Sequence, residues 1–288
     1  MKNLKEYIKE GLFDDVNKLE GENGLDNNID RLKDEITEWI KKRTFGLQFT
    51  VDMNTTPPTV NPINNVRMHI YTISLTNNGL FQWGEMNGDF ECSNCQILKS
   101  LEGAPKKVGG MFDCSGCDSL KTLEGAPEEV EGSFKCRGCK SLTSLKGAPE
   151  EVGGSFICSG CKSLKTLNGS PKKVGDFYCT ECDNLKTLEG SPEEVGGGFG
   201  CTYCKSLESL EGAPKKVGGN FSCFNCPSLI SLGSTLKDVR GDFECSKCSS
   251  LKSLEGAPKK VGGCFKAGAQ FTEDDVDKVS NVKGKIYC

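Results

Sequence analysis

The residues of this chain with the clearest capacity for chemistry are cysteines that recur in pairs. A Cys-x-x-Cys pair occurs eight times between residues 92 and 248, and successive pairs begin 22 residues apart, with one interval of 21. Two neighbouring pairs therefore read C-x2-C-x18-C-x2-C, a spacing typical of a structural zinc site with four thiolates. On that reading the first two sites would use Cys92, Cys95, Cys114 and Cys117, and then Cys136, Cys139, Cys158 and Cys161.

Other catalytic groups are scarce. The single histidine, His69, lies in a segment predicted to be a strand, so a Cys-His or Ser-His mechanism would depend on this residue alone. The Gly-Gly pairs lack the Lys-Ser/Thr that completes a phosphate-binding loop. We therefore predict a protein that is not an enzyme and needs no cofactor.

Composition limits the partners and the compartment. The net charge of −4 gives no reason to expect a nucleic-acid partner, and no run of about 18 apolar residues exists to span a membrane. The first eleven residues are too polar for the apolar centre of a secretory signal. We therefore predict a cytoplasmic protein with no membrane partner.

The cysteines belong to a longer repeat that fixes the elements around them. Phe, Cys, Cys, Leu and Leu recur at offsets 0, 2, 5, 8 and 11; in the third unit they are Phe134, Cys136, Cys139, Leu142 and Leu145. Positions two apart share one face of a strand, and the later steps of three turn the chain. A period of 20 to 29 residues is typical of a solenoid. We number the eight units as rungs one to eight and predict a coil of short parallel strands over residues 86–263.

Residues outside the repeats are predicted to cap the coil. Residues 1–85 form an N-terminal cap, and we predict no regular structure in the Pro- and Asn-rich connection Pro57–Asn65. The predicted elements of this cap are a helix at residues 4–12, a helix at residues 29–40 capped by Asn27 or Asn28, and half-buried strands at Phe45–Val51 and Met68–Leu75.

Residues 264–288 are predicted to be a degenerate ninth rung with a C-terminal cap. Ala267 and Gln270 replace its cysteines, Thr272–Val279 is predicted to form a short capped helix, and Val282, Ile286 and Cys288 again keep the strand spacing. A solenoid needs such caps because its end rungs would otherwise expose their apolar surfaces.

The rungs resemble the leucine-rich-repeat family, in the variant whose short strand reads L-x-x-L-x-L-x-x-C-x-x-L. Val174, Phe177, Cys179, Cys182 and Leu185 match that spacing in the 21-residue rung. The resemblance implies a right-handed, α/β-type or mostly β solenoid with parallel strands on a concave face. The chain differs from the family pattern in having Phe for Leu, an extra Gly in most rungs, and a Gly-Ala-Pro turn that disfavours a helix on the convex side.

Stacked rungs argue against zinc as the role of the cysteines. Equivalent atoms of neighbouring rungs lie about 4.8 Å apart, so each cysteine faces an identical neighbour on both sides and nothing selects a partner rung. We predict reduced thiols in the core, where the first cysteine fills space and the second donates weakly toward carbonyls of the turn. A zinc-binding array is the alternative, and disulfides are the third reading. Cys264 and Cys288 lie outside this ladder and are predicted to be the most reactive thiols.

The positions that vary between rungs predict the binding surface. They follow the Phe or lie between the two cysteines, and they should point outward from the concave strands. Aromatic side chains with a charged rim are typical of protein-binding hot spots. The predicted protein-binding residues, which gather mainly in rungs four to seven, are Ile157, Tyr178, Tyr203 and Phe224, flanked by Arg137, Glu181 and Glu244.

We therefore predict a non-enzymatic module that binds a protein on its concave face. The alternatives are the zinc-binding array and a structural or assembly protein that associates with copies of itself. The N-terminus, MKNLKEYIKEGLFDD, resembles the start of uncharacterised proteins of tailed phages from gut bacteria, which implies a phage or bacterial source. A phage protein would act in the host cytoplasm or be part of the virion.

Overall fold

The chain folds into a parallel β-solenoid. The computed structural model describes residues 22–44, 46–55, 57–63, 66–67, 75 and 81–288, with side chains from residue 29 onward except at 66–67. Strands of successive rungs pair in parallel and in register. The predicted fold class, a mostly β solenoid of short parallel strands with 21- to 22-residue rungs, is confirmed.

The described residues contain two helices, α1 (Glu22–Arg43) and α2 (Glu273–Asp277). The strands, in chain order, are β1 (Phe49–Asp52), β2 (Thr59–Pro62), β3 (Val66–Arg67), β4 (Gln82–Trp83), β5 (Phe90–Glu91), β6 (Lys107–Val108), β7 (Phe112–Asp113), β8 (Glu129–Val130), β9 (Phe134–Lys135), β10 (Glu151–Ile157), β11 (Lys173–Tyr178), β12 (Glu194–Val195), β13 (Phe199–Gly200), β14 (Lys216–Val217), β15 (Phe221–Ser222), β16 (Asp238–Val239), β17 (Phe243–Glu244), β18 (Lys260–Val261), β19 (Phe265–Lys266), β20 (Asn281–Val282) and β21 (Ile286–Tyr287).

One long wall of the solenoid carries the phenylalanines. Its strands run in the order β3-β5-β7-β9-β10-β11-β13-β15-β17-β19-β21. Phe156 of rung four, for example, pairs with Phe134 before it and Phe177 after it. β3 pairs with β5 through Val66 and Phe90, so the wall begins inside the segment predicted to be a separate cap.

A second wall is formed by the strand segments that carry the valines, and the long strands β10 and β11 contribute to both walls. One part of this wall consists of β6, β8, β10 and β11, and the other consists of β12, β14, β16, β18 and β20. The wall is interrupted between them, because β11 and β12 belong to different sheets. The interruption follows the one 21-residue rung, in which Val174 stands three residues before Phe177 instead of four. The missing residue shifts the register between β10 and β11.

The lumen is filled by columns of identical side chains. Seven of the eight neighbouring phenylalanine pairs from Phe90 to Phe265 stack with centroids 5.1–5.6 Å apart, and the last pair is tilted. These separations slightly exceed the strand spacing of about 4.8 Å, so the rings are offset, as aromatic pairs prefer. The cysteine and leucine columns beside them are also buried.

Helix α1 closes the N-terminal end of this core. Ile36 is fully buried, and Trp39 packs edge to face on Phe81 with centroids 5.3 Å apart. Phe81 contacts Trp83, whose ring lies 5.7 Å from that of Phe90 in the first rung. The apolar face predicted for this helix therefore covers the end of the phenylalanine column, as a cap must.

Two details of this cap differ from the predictions. α1 runs through Asn27 and Asn28, so the prediction that one of them caps the helix is wrong. β2 pairs antiparallel with β1 inside the connection predicted to be irregular. Pro62 is the last residue of β2, where its missing N–H is tolerated, and Val60 is fully buried. The predicted helix at residues 4–12, His69 and most of the predicted strand Met68–Leu75 lie outside the described residues.

The C-terminal predictions are mostly confirmed. α2 has Thr272 as its N-cap, in a capping box with Asp275, and Phe265 of the ninth rung pairs with Ile286 of the last strand. The prediction that Cys288 lies outside the cysteine ladder is wrong, because the register puts it beside Ala267, in the column of the first cysteines. Among the described residues, neither helix has the length and apolarity that a membrane span needs.

Candidate binding surface

The paired cysteines line the lumen. All sixteen are buried and free of disulfides, which confirms their predicted core position. From rung two onward, the second cysteine of each pair donates its S–H to the backbone carbonyl of the first cysteine of the preceding rung, with Sγ–O distances of 3.2–3.3 Å. The acceptor is thus a carbonyl one rung away, where the prediction expected one in the turn.

These carbonyls accept from thiols because the backbone N–H that would be their donor in a parallel ladder bonds elsewhere. In a continuing parallel ladder the N–H of Ser115 would bond to the carbonyl of Cys92. That N–H bonds instead to the Asp113 carboxylate at 2.8 Å, and the thiol of Cys117 supplies the donor to Cys92. Gln270 occupies the equivalent position of rung nine, but its side-chain amide donates to a different acceptor, the carbonyl of Cys248, which is the second cysteine of rung eight.

The thiols differ in how readily they ionise, and hydrogen bonds with the thiols of Cys223 and Cys226 lower the pKa of Cys248 to about 4. Burial raises the pKa of Cys158, Cys179 and Cys201, so these thiols stay protonated at neutral pH, whereas the thiolate is the form that reacts and binds metals. Among the described residues, no three His, Cys, Asp or Glu side chains form a group that could hold a metal ion.

The predicted binding residues belong to what we call the strand face: the outer side of the long wall, with the residues between the paired cysteines at its edge. Ile157 and Tyr178 are half-buried neighbours on β10 and β11. Arg137 is exposed in rung three, two rungs before Tyr178.

Tyr178 lies against the backbone of the next rung. A Cβ added to Gly200 would come within 2.9 Å of Tyr178 Cδ1, so the ring occupies the space that a side chain at this position would need. Burial, with a smaller effect from the Asp176 carboxylate, raises the pKa of the Tyr178 hydroxyl. The contribution of Gly200 was not predicted from the sequence, where it was one of several variable residues.

Tyr203, Phe224 and Lys247 form a contact across rungs six, seven and eight. The rings of Tyr203 and Phe224 meet edge to face, with centroids 5.5 Å apart and planes at 75°. Lys247 Nζ lies 5.1 Å from the Phe224 centroid, within cation–π range. Tyr203 remains 44% exposed. The sequence predicted both aromatic residues but not the lysine.

The second residue between the cysteines adopts a left-handed conformation in all eight rungs, with φ between 56° and 74°. Rungs two to four have glycine there, and rungs one and seven have asparagine, the residues that adopt this conformation most readily. Rungs five, six and eight have Glu181, Tyr203 and Lys247 instead. Such residues are strained in this region, at a cost on the order of 1 kcal/mol or more each. Alignment with Gly116, Gly138 and Gly160 is the sequence signal that could have revealed this.

Two carboxylates flank the aromatic contact. Glu244 is half-buried and accepts hydrogen bonds of 3.2 Å from the hydroxyls of Ser222 and Ser246. Its carboxylate has no ion pair with any described residue, and Lys266 pairs with Asp242 instead. Glu181 is exposed, and its Oε2 lies 3.8 Å from Lys162 Nζ.

We name this group the strand-face patch. It contains residues from rungs five to eight of three kinds: strained residues, aromatic residues that pack on a neighbouring rung, and carboxylates at the rim. Its members are Tyr178, Glu181, Tyr203, Phe224, Glu244 and Lys247.

Comparisons with protein-family models, with curated proteins and with solved structures each found no match to this chain. A functional assignment therefore depends on the chemistry of the strand-face patch.

Proposed function

We propose that this chain is a leucine-rich-repeat protein that binds a protein partner through the strand-face patch and catalyses no reaction. The observation that carries the proposal is the left-handed conformation of Tyr203, an exposed aromatic residue at a position where five of the other seven rungs have glycine or asparagine. Strained residues of this kind cluster at functional sites.

The fold itself does not require a strained residue at position 203. Asn94 and Asn225 occupy the same position with φ of 57° and 56°, so asparagine would fit at residue 203. A bulky residue that raises the free energy of the folded state, and leaves its ring in solvent, is explained if the ring contacts a partner. Tyrosine is among the residues enriched at interface hot spots.

The contacts within the patch support the same proposal. Phe224 is held between Tyr203 and Lys247, and Tyr178 is held against Gly200. Side chains that are already ordered lose less conformational entropy when a partner binds, so more of the contact energy appears as affinity.

The repeat supports the leucine-rich-repeat assignment. The rungs pair in parallel at a 22-residue spacing, and the columns that match the family's apolar positions are buried. The sixteen buried thiols without a disulfide suit a reducing compartment, which supports a cytoplasmic site of action.

A capture experiment with matched variants tests the proposal. Tyr203→Asn removes the ring and leaves a residue suited to the backbone, and Ile97→Asn is its control, because Ile97 is a similarly exposed apolar residue at 43%. We expect Tyr203→Asn to lose a partner captured from a bacterial lysate and identified by mass spectrometry, and Ile97→Asn to retain it. Equal capture by both variants, with unchanged circular dichroism, would contradict the proposal.

A further inference from the structure

We infer that the turn wall of rungs seven to nine binds an acidic protein segment that carries an apolar side chain. The turn wall is the outer side of the second wall together with the turn that leads into it, and most of its charged residues follow the proline of a rung. The strand-face patch belongs to the other wall, so this is a second binding surface that goes beyond the proposed function.

Lysines and glutamates of the turn wall neutralise one another in rungs one to six. Each lysine after the proline lies beside a glutamate of an adjacent rung, with Nζ–carboxylate distances of 2.6–3.4 Å. The pairs are Lys106 with Glu128, Lys107 with Glu129, Lys172 with Glu150, Lys173 with Glu151, Lys215 with Glu193, and Lys216 with Glu194. This arrangement avoids the repulsion between lysines stacked about 4.8 Å apart.

The compensation ends at rung seven, where Lys237 follows Lys215 and is itself followed by Lys259. The backbone N–H of Lys237 bonds to the carbonyl of Lys215, so these lysines lie on neighbouring strands of the wall. Lys237 Nζ donates to the neutral carbonyl of Ser234 and has no ion pair with a described residue. The other exposed cations of this region that likewise lack an ion pair with any described residue are Arg240, Lys259, Lys260 and Lys283.

The carboxylates on the same strands and turns do not neutralise these five cations. Asp238 lies between Lys216 and Lys260 in the strand register, and Glu255 and Asp277 precede the turns of rungs eight and nine. None of the three carboxylates forms an ion pair with a described residue, and the cations outnumber them. A partner that brings carboxylates would form new ion pairs and reduce the repulsion that the fold leaves between the lysines.

An apolar contact lies beside the unpaired lysines. A depression of about 480 Å³ opens between Lys237 and Lys259, and Ile230 on its rim is 63% exposed. The other seven rungs have Lys, Thr or Glu at the position of Ile230, and rung seven has Gly233 where rungs six and eight have glutamate. No aromatic side chain among the described residues lines the depression, so it has no platform on which a nucleic-acid base would stack. These features favour a protein segment whose apolar side chain is flanked by carboxylates.

Synthetic peptides test the inference directly on the full chain. The probe is a nine-residue peptide of Ser and Gly with Leu at position 5 and Glu at positions 3, 4, 6 and 7. One comparison peptide has Lys in place of the four Glu, and another has Ser in place of Leu. Fluorescence anisotropy should show the acidic peptide binding at least about tenfold tighter than the Lys peptide and about threefold tighter than the Ser peptide. A nine-nucleotide single-stranded DNA should bind more weakly than the acidic peptide.

Matched double variants separate this site from general electrostatics. Lys237→Gln with Lys259→Gln should weaken binding of the acidic peptide about tenfold, since both flanking cations are lost. Lys99→Gln with Lys121→Gln makes the same change in net charge on exposed lysines of rungs one and two, which also have no ion pair with a described residue. This control should change the affinity less than about twofold.

The variant Lys237→Glu tests the same site without weakening the fold. It places a carboxylate between Lys215 and Lys259, which restores the alternation of charge seen in the earlier rungs. We expect its affinity for the acidic peptide to fall more than about tenfold while its thermal midpoint stays at or above that of the unmodified protein. A loss of binding therefore cannot be attributed to unfolding.

Four outcomes would overturn the inference: no binding of the acidic peptide, equal binding of the three peptides, equal effects of the two double variants, or full binding by Lys237→Glu. Tighter binding of the DNA than of the acidic peptide would also overturn it, in favour of a nucleic-acid site. Tyr203→Asn should leave peptide binding unchanged, so the failure of this inference and the failure of the proposed function are observed separately.

Discussion

At the scale of single residues, the left-handed position between the cysteines is where the proposed binding function would lower the stability of the fold. The left-handed residue between the cysteines is glycine in rungs two to four, which adopts this conformation without strain. From rung five onward the same position has Glu181, Tyr203 or Lys247 in three rungs, at a conformational cost. The chain thus concentrates its strained residues where its aromatic surface residues gather.

Exchanging residues between two rungs should reveal this cost. Glu181→Asn is expected to raise the free energy of unfolding by about 1 kcal/mol, because asparagine tolerates φ near +58° better than glutamate. The reverse exchange in rung seven, Asn225→Glu, should lower it by a similar amount. Chemical denaturation followed by circular dichroism measures both values. Changes of the same sign in the two variants would contradict the argument from strain.

At the scale of elements, the columns of buried side chains in the lumen were largely predictable from the sequence. The contacts between surface residues of neighbouring rungs were not. The repeated offsets of Phe, Cys and Leu predict that Phe134 pairs with Phe156, because only this register places each apolar residue beside its equivalent in the next rung. β2 was missed because residues 57–65 have no repeat and little alternation, and its strand depends on pairing with β1. No pattern within one rung predicts that Tyr178 lies over Gly200, since that contact joins residues of different rungs.

The two cysteine columns have different roles, and substitution should separate them. Cys139 donates to the carbonyl of Cys114 at 3.2 Å, whereas Cys136 belongs to the first column, which chiefly fills space. Cys139→Ala should therefore reduce the free energy of unfolding by about 1 kcal/mol more than Cys136→Ala does, because it leaves a buried carbonyl without its donor.

Both variants remove one sulfur atom from a fully buried site, so the loss of packing is matched between them. Denaturation curves recorded under reducing conditions give the difference. Equal losses of unfolding free energy would mean that the thiol hydrogen bond contributes no stability beyond the packing of the sulfur atom.

At the scale of the whole molecule, each rung is stabilised mainly by its two neighbours. Phenylalanine stacks on phenylalanine and each second thiol bonds to the rung before it. Outside the lumen, Lys106 pairs with Glu128 at 2.9 Å and Lys172 with Glu150 at 3.0 Å, again between adjacent rungs. Cooperativity in such an array passes from rung to rung, so the ends need α1 and the ninth rung to cover them.

Because of this mutual support, we predict that the solenoid folds without metal. The apolar columns and the thiol hydrogen bonds stabilise every rung, and zinc could bind only after buried thiols with raised pKa values lost their protons. Protein purified without chelator should contain no stoichiometric zinc, and its thermal midpoint should be the same with and without EDTA. After denaturation, all 18 cysteines should titrate as free thiols. About one zinc per two rungs, with a midpoint that falls on chelation, would instead make the paired cysteines metal ligands and the columns of the lumen their scaffold.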